Sequence, residues 1–445
     1  MGSTADHYVG SMPDDATTDE GSPATGDEGL WSIPSVRYLL ASGVLSTTGI
    51  SLMLAVLFKQ AFDITDDALT IGIIGLLQFI PAMLLAIVAG YLADRFDRRR
   101  ITALMTAGRV ACAVAFVAYS RSVGDVSDGS DAAIWPLYLI TLAFGTFDAI
   151  AIPARFALTP LVVERQLLPR LASTNAAARV LASIVGPVAG GFLYTVGADI
   201  AYVVTAVLFA ASIPPILKVV YANEPKPVTD RPSMKLAFEG LRYVRRSPIV
   251  LSIISLDMIA VLFGGAIALI PVIAEERLGV GDIAYGWLRA APGIGAGAMG
   301  LFLAWRPVRR RVGPMLLFVV GVFGLFHVVL GVTTNYAVAF AALVAASAAD
   351  MVSMTIRLTL VPLATPDQQL GRVAAVEGVF IGASNELGAF ESGVAARWFG
   401  VPLAVAGGGV ITMAIAAAFA VFVPSLRDID RYEDVHPHEE PESVE

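Results

Sequence analysis

The chain has 445 residues, 56% of them hydrophobic and 15% charged, with a mean hydropathy of +0.72 and a formal net charge of −8. Soluble domains carry about 25% charged residues, so the composition excludes an ordinary soluble enzyme and points to a protein of the bilayer. The acidic balance argues against a nucleic-acid partner.

The first 30 residues contain seven acids and no Lys or Arg. A signal peptide needs a basic start and an apolar stretch, so residues 1–35 are expected to form a disordered acidic tail. Beyond them apolar runs recur. A membrane-crossing helix needs about 20 predominantly apolar residues and must satisfy its own backbone polar groups, because lipid cannot. Twelve runs meet that need: 36–59, 68–92, 101–120, 134–153, 171–195, 199–219, 249–273, 283–305, 313–332, 335–356, 373–396 and 401–424. Between the sixth and seventh lies a polar linker, 220–248. Within it MKLAFEGLRYVRRS has apolar residues at helical spacing with bases between, the pattern of an amphipathic helix on a membrane surface. From Asp428 onward there are eight acids and one base, so 425–445 is expected to be a second disordered tail.

With both termini in the cytoplasm, the segments on that side hold 23 of the 30 Lys and Arg. The other side holds four: Lys59, Arg121, Arg277 and Arg397. Basic loops stay cytoplasmic, so both termini are expected there, in a multi-pass protein of the cytoplasmic membrane. Cys112 is the sole cysteine and the four His lack ligand spacing, so neither a metal nor another cofactor is expected.

The chain repeats itself. GLLQFIP (75–81) and GWLRAAP (286–292) share Gly, Leu and Pro at an offset of 211, which also carries Arg98–Arg100 onto Arg309–Arg311. Asp148, Arg155, Pro160, Gln166 and Arg170 meet Asp350, Arg357, Pro362, Gln368 and Arg372 at an offset of 202. The expected fold is therefore an all-α membrane protein of twelve transmembrane helices in two pseudo-symmetric halves, 36–219 and 249–424.

Residues 90–101, GYLADRFDRRRI, resemble the inner-loop signature of the major facilitator superfamily, Gly-x-x-x-Asp-Arg-x-Gly-Arg-Arg. Gly90, Asp94, Arg95, Arg98 and Arg99 match it, while Asp97 replaces the second Gly. GPVAGG (186–191) is similar to the antiporter motif of that superfamily through Gly186, Pro187, Gly190 and Gly191. TPDQQLGRV (365–373) and the stretch 268–297 resemble the branch that includes the enterobactin exporter and macrolide efflux proteins. The resemblance implies that Asp94 caps the eleventh span when the inner side is closed, and that Arg98 bridges to Asp148. Trp305 stands where the second copy would place Asp94, so one such latch is implied. Retention of bases on the inner side would explain the Arg run but not Gly90 and Asp94. For the Gly-Pro motif, a bend sealing a leak path and ordinary close helix packing are both open.

Ionisable residues inside spans are costly and usually face a cavity. Asp257, Glu386 and Glu391 are such acids, with Asn385 alongside, and Arg179, Arg109 and Arg289 are the cations. Asp257 and Glu386 are the expected coupling or substrate carboxylates. The alternative is that they form structural ion bridges with Arg179 or Arg289. Phe79, Phe263 and Phe380 are candidate cavity walls. The resemblance implies a secondary transporter, not an enzyme. Its expected action is to export a small organic molecule, drug-like or a siderophore, in exchange for protons, as a monomer with alternating access. Symport uptake, lysolipid flipping and a non-transporting sensor or scaffold remain alternatives. No phosphate-binding Gly-x-x-x-x-Gly-Lys motif is present for an ATP motor.

Overall fold

Apolar runs with no outside partner for their peptide groups become helices, and the charged clusters between them mark the turns. The computed structural model describes residues 29–124, 133–222 and 234–437, with the side chains of Ile87, Asp94 and residues 234–238 outside that description. The first half comprises α1 (Pro34–Thr65), α2 (Ala68–Arg95), α3 (Arg98–Val123), α4 (Trp135–Leu158), α5 (Leu168–Tyr194) and α6 (Ala198–Leu217). The linker contributes α7 (Met234–Arg246). The second half runs through α8 (Pro248–Phe263), the single turn α9 (Ile270–Val272), α10 (Asp282–Trp305), α11 (Val312–Val332), α12 (Tyr336–Leu363), α13 (Leu370–Phe399) and α14 (Val401–Phe422), and ends with the short α15 (Pro424–Arg427).

Among the described residues, ten helical runs are long and apolar enough to cross a membrane, one of them the interrupted stretch Pro248–Arg277. Two more long helices, α10 and α13, are less apolar, α13 because it carries Arg372, Glu377, Glu386, Glu391 and Arg397. Both pack inside the bundle, and the count is consistent with the twelve crossings expected.

The pairing of helices repeats with the sequence. In the first half α3 packs on α4 and α6, and α2 on α4; in the second, α11 packs on α12 and α14, and α10 on α12. The halves meet along two symmetry-related seams, α2 against α13 and α5 against α10. One apolar cluster runs through both halves, with Phe116, Phe144, Tyr202 and Phe209 of the first and Leu269, Tyr285 and Leu343 of the second, and a separate one in the second half buries Leu316, Ile356 and Leu360.

Part of the expected C-terminal tail is built into the fold. Leu426, Ile429 and Val435 are buried against the second half, and the Val312 and Gly313 amides donate to the Asp430 and Ile429 carbonyls. The reason lies in the sequence: 426, 429, 432 and 435 are all apolar or aromatic, one every third residue among the acids. Residues 438–445 and 1–28 lie outside the described residues. The linker helix α7 buries Tyr243 and Val244, and Glu239 pairs with Arg372 of α13 at 2.9 Å.

Candidate functional site

Glycines report where the two halves touch, because a Cβ there would meet the opposite helix. On α2, a Cβ at Gly72 would lie 3.0 Å from the Phe390 Cα of α13, whereas one at Gly90 would meet nothing. On α13, Gly393 sits against the Ala68 carbonyl at 3.0 Å, while Gly371, Gly378 and Gly382 face open space. On the other seam Gly191 of α5 backs onto Gly286 of α10. The halves are thus joined at the end where α1 finishes and α2 begins, and parted at the arginine-rich end.

Ion pairs close the joined end. Lys59 of α1 donates to Asp63 on its own helix and to Glu275 of the second half at 2.9 Å, with Asp282 at 3.8 Å. Arg397 of α13 pairs with Asp67, the residue capping α2, at 3.0 Å. Tyr285 on α10 donates to the Ala55 carbonyl of α1 at 2.7 Å. The sequence marked Lys59 and Arg397 only as bases on the sparser side. The missed signal was Lys59 one helical turn before Asp63, a charged pair inside an otherwise apolar run.

The antiporter-like motif belongs to the same closure. Helix α5 runs unbroken through Pro187. A Cβ at Gly186 would collide with Ser51 and the Thr48 carbonyl of α1, and one at Gly191 would collide with α10. The glycines therefore let α5 press its backbone on a helix of each half. Both expectations for the motif, a bend at Pro187 and close helix packing, are compatible with this arrangement.

Toward the parted end, the first half opens into a cavity of about 280 Å³. Arg109, Asp148, Arg155, Asn175 and Arg179 line it together with hydroxyls of α1 and α3. Arg109 pairs with Asp148 and donates to the Ser46 hydroxyl at 3.2 Å. The bridge from Arg98 to Asp148 is expected of the inner-closed state; in this arrangement Asp148 pairs with Arg109. Arg98 instead donates to the Ala93 carbonyl and, at 3.2 Å, to the Ala157 carbonyl, which lies nine residues and about 14 Å further along α4 than Asp148.

The signature turn has its own logic. Asp97 adopts extended backbone and caps α3, accepting from the Arg99 amide and pairing with the Arg99 guanidinium at 2.7 Å. Its carboxylate also accepts from the Tyr221 hydroxyl at 2.9 Å, and Arg99 stacks over the Tyr221 ring. An N-cap needs no positive φ, so Asp serves where the family pattern has Gly. The Arg99 guanidinium holds the Asp97 carboxyl well below the usual carboxylate range. Arg95 is exposed and donates to Tyr91. The Asp94 side chain, and with it the expected latch onto the eleventh span, lies outside the described residues.

In the second half Asp257 of α8 is buried and paired with Arg357 of α12, not with Arg179 or Arg289 as expected. The partner was visible as the repeat mate of Arg155, although the repeat says nothing about which helix it faces. Asp350 and Glu377 lie within electrostatic range of this pair, so three carboxylates share one guanidinium. Glu386 sits on the α2–α13 seam, where its carboxylate faces Gly75, and its charge reaches Arg289. Arg289 donates to the Ile267 carbonyl at 2.7 Å and lies over the Phe58 ring of the opposite half. Asn385 is exposed and bonded to its own helix, and Glu391 is half-buried beside the Phe390–Gly72 contact. Phe79 is buried and Phe380 packs on the second-half core; the aromatic ring lining the charged cavity is Phe156.

Two helical halves of matching design, joined at one end and with a charged cavity in the first, define the transporter class of membrane protein. Residues 39–389 match the Major Facilitator Superfamily, and the chain belongs to it. It is 26% identical over 393 residues to the uncharacterised MFS-type transporter YfiS of Bacillus subtilis, covering 82% of this chain and 88% of that one. It is 24% identical over 374 residues to the enterobactin exporter EntS of Escherichia coli, covering 81% and 87%. A solved bacterial homologue of the human lysosomal transporter Spinster, inward-facing and unoccupied, superposes with a TM-score of 0.63 at 16% identity, over 88% of this chain and 96% of that one.

Proposed function

We propose that the protein exports a small organic molecule across the cytoplasmic membrane in exchange for protons, by alternating access, as a monomer with both termini in the cytoplasm. The observation that carries the reading is the asymmetric closure: ion pairs and glycine contacts at one end, a charged cavity toward the other. If the arginine-rich end is cytoplasmic, this is the inward-open arrangement, ready to load cargo for export. A switching protein needs contacts that exist in one state and are lost in the other, and the pairs Lys59–Glu275 and Asp67–Arg397 fit that need.

Protons have a place to act. Three acids around Arg357 cannot all stay ionised cheaply, because like charges in one site oppose each other's ionisation. Glu386, on the seam that must part, forms no salt bridge among the described residues. Its protonation would remove a charge at the moving interface.

The test uses inverted vesicles carrying a respiratory proton gradient read by acridine-dye quenching, challenged with a panel of organic compounds. At least one compound should release quenching in vesicles with the protein and not in control vesicles, and Glu386→Gln should abolish the release. Uptake of the same compound that ignores the gradient, or release unaltered by both Glu386→Gln and Asp257→Asn, would remove the antiport reading.

A further inference from the structure

We infer that the first-half cavity is an anion-binding subsite, and that the cargo carries a delocalised organic oxyanion of the carboxylate kind which docks on Arg155. The inference rests on the transport reading above and specifies the chemistry this cavity would accept.

The argument begins with charge. Arg109, Arg155 and Arg179 line the cavity with a single carboxylate, Asp148. That carboxylate is taken by Arg109. Arg155 and Arg179 form no salt bridge or side-chain hydrogen bond among the described residues, and Arg155 lies within range of both other guanidinium charges as well as of Asp148. Three cations in one recess repel each other, and a low-dielectric wall strengthens that repulsion. An anion supplied from outside would offset that repulsion, and the cluster focuses a positive potential on the parted end.

Geometry then selects the cation that receives the ligand. Arg155 reaches across from α4 to α1 and α5, so that its guanidinium presses on Gly43, with the Asn175 side-chain oxygen next to the same glycine. A Cβ at position 43 would occupy the guanidinium's place, so the glycine creates the seat. Arg109 is only 4% exposed and leaves its Nε without an acceptor among the described residues. The hydroxyls of Ser42 and Ser46 add donors to the wall, while Thr102 and Thr106 donate theirs to the Arg98 and Thr102 carbonyls. A guanidinium fork matches a carboxylate with two parallel bonds, and the surrounding hydroxyls suit its remaining lone pairs.

The repeat supplies a contrast within the same molecule. Arg357, the counterpart of Arg155, already holds Asp257. One half therefore fills its arginine with a carboxylate of its own, and the other leaves the equivalent cation for a ligand. The two clusters then carry opposite charge, basic about Arg155 in the first half and acidic about Arg357 in the second.

The experiment measures equilibrium binding of 1-naphthoate, and of the uncharged 1-naphthamide as its match, to the full-length protein in nanodiscs by calorimetry. No gradient is involved, so the outcome is independent of whether the protein couples to protons. Naphthoate should bind and naphthamide should bind at least about tenfold more weakly, the scale of a lost hydrogen bond to a charged group. Arg155→Gln should weaken naphthoate by a similar factor, Arg155→Lys should restore part of the loss, and Asp148→Asn should tighten binding by removing the competing carboxylate. Equal binding of acid and amide, no binding of naphthoate at millimolar concentration, or unchanged affinity in both Arg155→Gln and Asp148→Asn would overturn the assignment.

Discussion

The Lys59 ammonium of the first half lies 2.9 Å from the Glu275 carboxylate of the second, and no covalent segment near either residue forces them together. The pair exists because the halves are closed at that end. Lys59 also holds Asp63 and approaches Asp282, so its removal leaves three acids facing one another. Lys59→Met should shift the population toward opening at this end by about fivefold, near 1 kcal/mol for a partly exposed ion pair. Spin labels at Thr65 and Leu278 would show a longer distance component, and Lys59→Arg should not. An unchanged distance distribution in Lys59→Met would show that the pair does not hold the closure.

Asp257 and Arg357 predict a different kind of loss. Both are buried, and removing one partner strands the other. Arg357→Met should cost about 3–5 kcal/mol of stability, since Asp257, Asp350 and Glu377 then share the site with no cation. Asp257→Asn should cost less, because Arg357 still faces two acids. The double variant Asp257→Leu/Arg357→Met should recover part of the loss, since Asp350 and Glu377 still lack their cation. Thermal unfolding in detergent ranks the three, and a double variant no better than Arg357→Met would contradict the account.

The glycine seam can be tested by contrast. A Cβ at Gly191 would lie 2.7 Å from the Gly286 Cα, backbone that cannot swing aside, whereas one at Gly378 meets nothing. Gly191→Ala should destabilise this closure by about 1–3 kcal/mol, the usual cost of overpacking. Gly378→Ala should be neutral or slightly stabilising in the same thermal assay. Equal effects would mean that the α5–α10 contact is loose.

Asp97 links acid stability to the signature turn. Its pKa is lowered in the fold, chiefly by the hydrogen bond from the Arg99 side chain. A carboxylate with a lowered folded pKa stabilises the protein above its unfolded value, about pH 4, and that contribution is lost as the pH falls further. Asp97→Asn keeps a capping oxygen but loses the charge paired with Arg99, and should cost about 1 kcal/mol at neutral pH, the scale of a partly exposed ion pair. Its deficit should close progressively below about pH 4. A deficit independent of pH would point to packing instead of charge.

Much of the fold was legible in the sequence because the forces that set it are local. Lipid demands long apolar runs with self-satisfied backbones, so the membrane helices could be read in order. The Asp–Arg–Pro–Gln–Arg series at a fixed offset declared the duplication, and helix pairs that match between the halves follow it. Even the packed C-terminal segment had a signal, its apolar residue at every third position, which a count of acids concealed.

What the tertiary structure alone decided was partnership. A helix turns about 100° per residue, so knowing that Arg98, Arg109 and Asp148 lie in the first half does not say which guanidinium meets the carboxylate. Depth along α4 settled it for Arg109, and the facing of α8 and α12 gave Asp257 to Arg357. The same holds for the end that is shut: Lys59 and Glu275 are 216 residues apart, and only the tilt of one half against the other brings their charges within a hydrogen bond.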